Sequence, residues 1–219
     1  MNFPNFAKKD IQILLKELLK LPTSWDGKKS VLELKEANYN WRQMEWWAFY
    51  FEYKVRELLE TKFQIPGDTF GNVSFDLKGN INWDMKASAI KTNNQKIILN
   101  DIKSMDFSIS NNKYHGEIIA LCDVEYNDVN RTFQKWHNEL KGGDSKYEQE
   151  RKQRTSNSRY RKTKAELWKI ILLLIDKNTI DILDTYKQGR NSDGSPRRPK
   201  YMLDIESIDE FTHYDILFE

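Results

Sequence analysis

The sequence predicts an α/β (α+β) fold: a single domain with a mixed central sheet flanked by helices. Helix-period apolar stripes near the N-terminus lead into strand-like runs joined by turn residues, and the two kinds of segment then alternate, which is how a sheet with helices packed on it is built. The 219 residues are 39% hydrophobic and 31% charged with only 9 Gly and 5 Pro, a balance that excludes fibrous and disordered classes and suits one folded core. No internal repeat or interdomain linker interrupts them.

Residues 10–21 place Ile11, Leu14, Leu15, Leu18 and Leu19 on one helical stripe, and Pro22 stops it. After the Asp26-Gly27 turn, a longer helical pattern over residues 39–62 carries Trp46, Trp47, Phe49, Tyr50, Tyr53, Leu58 and Leu59, and Pro66-Gly67 ends it. Residues 72–78 and 80–88 read as a hairpin turning at Lys78-Gly79-Asn80. Residues 96–100 and 116–126 read as two further strands, with a loop at Ser110-Asn111-Asn112 between them. Phe133, Trp136 and Leu140 predict a helix over residues 130–140, closed by Gly142-Gly143. Leu167, Ile170, Ile171 and Leu174 fall on one helical face and predict a helix over residues 164–175. Loop chemistry at residues 189–199 leads to a final strand near residues 201–205.

Several functions lose support at this stage. No stretch reaches the roughly 18–20 apolar residues of a membrane span, and the longest apolar block, residues 167–175, is interrupted by Lys169. Residues 1–9 lack the apolar centre of a secretory signal, and the single cysteine, Cys122, lies in an apolar run, so a reducing, cytoplasmic setting is expected. His115, His137 and His213 show no ligand spacing, which argues against zinc, and no Gly-rich phosphate loop is present.

The net charge of +2 conceals an uneven distribution. Residues 151–164 hold Arg151, Lys152, Arg154, Arg159, Arg161, Lys162 and Lys164 without an acid, interleaved with Gln153, Thr155, Ser156, Asn157 and Ser158. That mixture suits phosphate neutralisation and base-edge readout. Arg197, Arg198 and Lys200, with Asn191, make a second candidate DNA-facing loop. A polyanion is the expected partner.

The chemistry-bearing candidate is the hairpin. Strand residues two apart share a face, so Asp84 and Lys86 project together while Met85 points into the core, and Asp76 lies across the turn. Carboxylates beside an ammonium suit a hard divalent cation with its waters and a substrate phosphate. Acid-x-base triplets are common in so charged a chain: Glu33-Leu34-Lys35 and Asp76-Leu77-Lys78 are decoys, and Asp101-Ile102-Lys103 is a competitor for which Asp84 would be the upstream acid. Asp84 is preferred because strand residues flank it and an acid-bearing helix precedes it. On that helix Glu52 sits among Trp, Phe and Tyr side chains, where a carboxylate is costly to bury without a partner or a metal. A partner such as Lys54 or Arg56, or a Tyr or Trp hydrogen bond, would account for it equally well.

A glutamate-bearing helix, then an aspartate, then a strand with hydrophobic-Asp-x-Lys, here Trp83-Asp84-Met85-Lys86, resembles the PD-(D/E)XK nuclease superfamily and more narrowly its type II restriction endonucleases. The resemblance spans residues 41–126. Asp76 departs from it by following Phe75 rather than proline and by its short spacing to Asp84. The resemblance implies a restriction-endonuclease-like core, Mg2+-dependent cleavage of double-stranded DNA in a prokaryotic cytoplasm, and a homodimer. It assigns catalysis and metal binding to Asp84, Asp76 and Glu52 with Lys86 as the lysine. Residues 1–40 would then be an N-terminal helical segment, 41–126 the catalytic core and 130–219 a DNA-binding, sheet-completing part. The competing readings are another nuclease of the superfamily, for repair or mobile elements, and a DNA- or RNA-binding protein without chemistry.

Overall fold

The computed structural model describes residues 4–66, 75–91, 93–144, 146–153, 160–190 and 194–218. In chain order these form α1 (Lys8–Glu17), β1 (Ser24–Asp26), α2 (Gly27–Glu36), α3 (Trp46–Leu59), β2 (Leu77–Lys78), β3 (Asn82–Ala89), β4 (Lys96–Asp101), α4 (Ile102–Asn112), β5 (Tyr114–Glu125), α5 (Thr132–Leu140), α6 (Lys146–Gln153), β6 (Lys164–Asp176), β7 (Asp184–Tyr186), β8 (Lys200–Asp204) and β9 (Thr212–Leu217). The expected mixed sheet flanked by helices is present. The larger sheet runs β1-β6-β5-β3-β2, with β9 also pairing β6, and a smaller one runs β4-β8-β7. β3 and β5 are parallel, joined through β4 and α4, while every other named pair is antiparallel.

The large sheet divides two apolar layers. On one face Trp83, Met85, Ile118, Ala120, Ile170 and Leu172 pack beneath the buried stripes of α1, α2 and α3. On the other, Ile119, Leu121, Ile171, Leu173 and Ile175 meet Ile97, Leu99 and Leu203 of the small sheet and Met105 and Ile109 of α4. β5 and β6 are therefore covered on both sides. Residues 164–175 are a strand, not a helix: a strand buried on both faces is apolar at consecutive positions and so also satisfies a helical spacing.

Other boundaries shift for local reasons. α3 starts at Trp46 rather than near residue 39 because Asn38 (φ 51°) and Asn40 (φ 33°) adopt left-handed backbone that no helix continues. Ser110-Asn111-Asn112 is the end of α4, not a loop, and Lys113 at φ 67° terminates that helix. The strand near residues 201–205 is not the last, since β9 follows it. Cys122 is a buried free thiol, as its apolar neighbours suggest. No helix among the described residues is long and apolar enough to cross a membrane.

Two buried groups hold the central strands in place. From α1, Asp10 Oδ2 accepts the Asn80 and Ile81 N–H groups at 2.8 and 3.2 Å and Trp83 Nε1 at 3.2 Å, tying the helix to the β2–β3 turn. The Trp83 ring lies over Gly116 so closely that an added Cβ would stand 2.3 Å from Trp83 Cε3. Gly116→Ala is expected to destabilise the fold by about 3 kcal/mol, because a fully buried ring has nowhere to withdraw. A chemical-denaturation midpoint shift of under a third of that would show that the ring relaxes.

α5 carries the pH-sensitive contact. His137 Nε2 donates to Trp41 O at 2.9 Å, and burial, with Lys141 and Arg161 nearby against Glu148, pushes the imidazole down to about 4 from its usual 6.5. The unfolded chain thus takes up a proton near pH 6.5 that the folded chain refuses until about pH 4. Stability from this group is complete above pH 6.5 and drains as pH falls toward 4. Between pH 7 and 4.5 the unfolding free energy from urea titrations should fall about 2 kcal/mol further for the native chain than for His137→Gln, whose amide still donates to Trp41 O. Equal falls in the two proteins would remove His137 from the account.

Candidate metal centre

The parallel register of β3 and β5 sets Asp84 opposite Glu117 and Asn82 opposite His115, with Lys86 one step along the same face. Glu117 and His115 are spaced two apart on β5, so both project toward Asp84. His115 Nε2 lies 3.2 Å from Asp84 Oδ2 and 3.3 Å from Glu117 Oε1. All three side chains are buried. From β4, Asn100 Nδ2 donates to Asp84 Oδ2 at 2.6 Å and holds the carboxylate from the small-sheet side.

The hairpin adds Asp76 beside Asp84, fixed by the Met85 N–H donating to Asp76 Oδ2 at 2.7 Å and the Asp76 N–H donating to Trp83 O at 3.0 Å. α3 contributes Glu52, which accepts a hydrogen bond from the Tyr39 hydroxyl, while Arg56 Nη1 donates to the same hydroxyl at 3.2 Å. Lys86 Nζ stands 3.9 Å from Glu117 Oε2. Glu52, Asp76 and Lys86 are half-buried, and Asp84, His115 and Glu117 are buried.

Charge crowding sets the protonation states. Burial would raise Asp84, yet Lys86, His115 and the Asn100 amide hold it below the ordinary carboxylate range. Burial and the Asp84 charge push Asp76 up to about 7. Burial also raises Glu52, against the Tyr39 hydrogen bond and the Arg56 and Lys86 charges. Burial would lower Lys86, but Glu117, Asp84, Asp76 and Glu52 together raise it, keeping it an ammonium. His115 rises to about 9 between Asp84 and Glu117 despite its burial. The Asp84, His115 and Glu117 group could hold a metal ion: their ligand atoms lie within 4.8 Å of one another.

The chain matches no family model, no curated protein and no solved structure. What the site can do must therefore be read from its own residues.

The structure brings together Glu52, Asp76, Asp84 and Lys86, the set expected from sequence. Asp101 is elsewhere employed: its carboxylate accepts the Ser104 N–H at 3.1 Å and the Ser104 hydroxyl at 2.7 Å as the N-cap of α4, and Lys103 is exposed on that helix. The expected DNA-facing run divides. Arg154, Asn157, Ser158 and Arg159 lie outside the described residues, and Arg151 and Lys152 belong to the backbone of α6. Arg161 does not face outward but is buried against Glu148 at 2.8 Å, and Lys162 is held by Glu45 at 2.7 Å over the Trp47 ring. Arg197 and Arg198 are exposed. They lead into β8, where Lys200 lies opposite Asp101, lowered by burial and the Lys86 charge.

Glu117 and His115 are absent from the sequence-based set. The available signal was the acid in Gly116-Glu117-Ile118-Ile119-Ala120-Leu121, an ionisable group inside an apolar strand, with a histidine two residues before it.

Proposed function

We propose that the chain is a Mg2+-dependent endonuclease that cuts double-stranded DNA at a short sequence, as a type II restriction enzyme of the PD-(D/E)XK kind does. The observation that carries the reading is the meeting of Glu52 from α3, Asp76 from the strand-to-hairpin entry and Asp84 and Lys86 from β3 in one cluster. Asp76, Asp84 and Lys86 share one hairpin, and Glu52 meets them through the packing of α3 on β3.

The donor chemistry fits the ion. The cluster is dominated by carboxylate oxygens, and Glu117 Oε2 is buried without a hydrogen-bond donor. Asp84, Glu117, Asp76 and Glu52 would hold it. Bound there, Mg2+ supplies a Lewis acid for the phosphate and a more acidic water. Lys86, an ammonium with three donors, holds a water near the scissile phosphate and faces the charge that develops on it. Asn100 locks the Asp84 carboxylate, and Tyr39, itself held by Arg56, locks Glu52. Arg197 and Arg198 give phosphate contacts on the approach to β8. A homodimer would match a palindromic site by its own two-fold axis.

The test is incubation of the purified chain with plasmid and phage DNA, with Mg2+ and with chelator. Discrete fragments that need Mg2+ are the expected result. A metal-dependent smear would leave a nuclease without site specificity. Intact DNA that is nonetheless bound would replace the enzyme with a nucleic-acid-binding protein.

A further inference from the structure

We propose that His115 is an inner nitrogen ligand of this centre, and that it makes the centre bind Mn2+ more tightly than Mg2+. The inference rests on the metal-dependent reading above and concerns which ion the same site prefers.

The spacing of His115 from its two carboxylate neighbours suits a coordination set. An octahedral ion with donors at about 2.1 Å separates neighbouring donors by about 3.0 Å, and His115 Nε2 lies 3.2 Å from Asp84 Oδ2 and 3.3 Å from Glu117 Oε1. A histidine serving only to orient a carboxylate needs one acceptor. His115 Nε2 is instead aimed between two oxygens of different side chains, both buried with it, and an ion bound there displaces the proton that Nε2 shares with them. Glu117 Oε2, the remaining oxygen, has no hydrogen-bond donor, with Lys86 Nζ standing off at 3.9 Å. A buried carboxylate oxygen without a donor is costly, and a cation at that point removes the cost.

The scaffold keeps the three ligands in place. β5 is an interior strand, paired along its length with β3 on one side and β6 on the other, so His115 and Glu117 cannot drift relative to Asp84. Mg2+ favours oxygen donors and retained waters, whereas an imidazole donor adds affinity for Mn2+ and the later divalent metals. A site made of Asp84 and Glu117 alone would not separate the two ions in this way.

The experiment is Mn2+ titration of the full chain after chelator treatment, followed by electron spin-echo measurement of nitrogen coupling to the bound ion. The chain contains 3 histidines, and the other two are engaged elsewhere, His137 with Trp41 O and His213 with Phe211 O. The expected result is a 14N coupling in the native protein that converts to 15N when only histidine is labelled. His115→Gln should lose the coupling and at least about tenfold in Mn2+ affinity, while Mg2+ affinity changes less than about threefold. The labelling arm needs no variant, so a folding defect in His115→Gln leaves the result readable. Bound Mn2+ without histidine coupling, or equal losses for both ions in a folded His115→Gln, would overturn the inference and leave the nuclease reading intact. Failure of the native chain to bind either ion would overturn both. Coupled Mn2+ in a protein that cuts no DNA would support the ligand and refute only the nuclease.

Discussion

Asp84→Asn is expected to lower Mg2+-dependent DNA cleavage by roughly 10^3-fold, about 4 kcal/mol of barrier, while DNA binding persists. Asp84 sits at the centre of the cluster, between Asn100, His115 and Lys86 and beside Asp76. Its carboxylate stays ionised where its neighbours Asp76 and Glu52 are driven toward the neutral form, so the charge most available to a cation is its own. The amide keeps the volume and removes the charge. Folding must be checked at the same time, since breaking a buried ion pair is itself destabilising. Circular dichroism and a denaturation midpoint on the variant serve that purpose. Cleavage within tenfold of the native rate by a folded Asp84→Asn would move the catalytic acid elsewhere.

How far this site was legible in the sequence depends on the range over which its residues meet. Asp84 and Lys86 are two apart on one strand and Asp76 is across a short turn, so local periodicity was enough to group them. Glu52 followed from an acid placed in an aromatic helix. Glu117 and His115 approach Asp84 only through the parallel β3–β5 register, which depends on the intervening β4 and α4 and leaves no local spacing to find. The same limit explains the basic run. Arg161 and Lys162 have no acid among their neighbours in sequence, yet Glu148 and Glu45 reach them in the fold. A single-sign run reports an outside partner only where no counter-charge reaches it through the fold.

The fold shows a parallel case. Elements with a single apolar face, such as α1 and β3, announced their period, whereas β6 did not, because apolar residues on both faces erase the alternation that distinguishes a strand. Gly116 belongs here too: in sequence it interrupts nothing, and in the fold it is the gap that admits Trp83.

Lys86→Met should separate binding from chemistry by moving them in opposite directions. Lys86 is the ammonium shared by Glu117, Asp84, Asp76 and Glu52, and it competes with any metal for the same carboxylates. Its removal is expected to tighten Mn2+ or Mg2+ binding severalfold, since a unit charge a few ångströms from a dication opposes it by at least about 1 kcal/mol. Cleavage should nevertheless fall by about 10^2-fold or more, because the ammonium that holds the water and faces the phosphate is gone. Without metal the carboxylates lose an internal counter-ion, so the melting temperature should drop, and added metal should restore it. A lysine with only a structural role would yield weaker metal binding alongside a lower rate, and a dispensable one would leave the rate unchanged. Titration calorimetry, a melting curve with and without metal, and the cleavage rate on one preparation distinguish these outcomes.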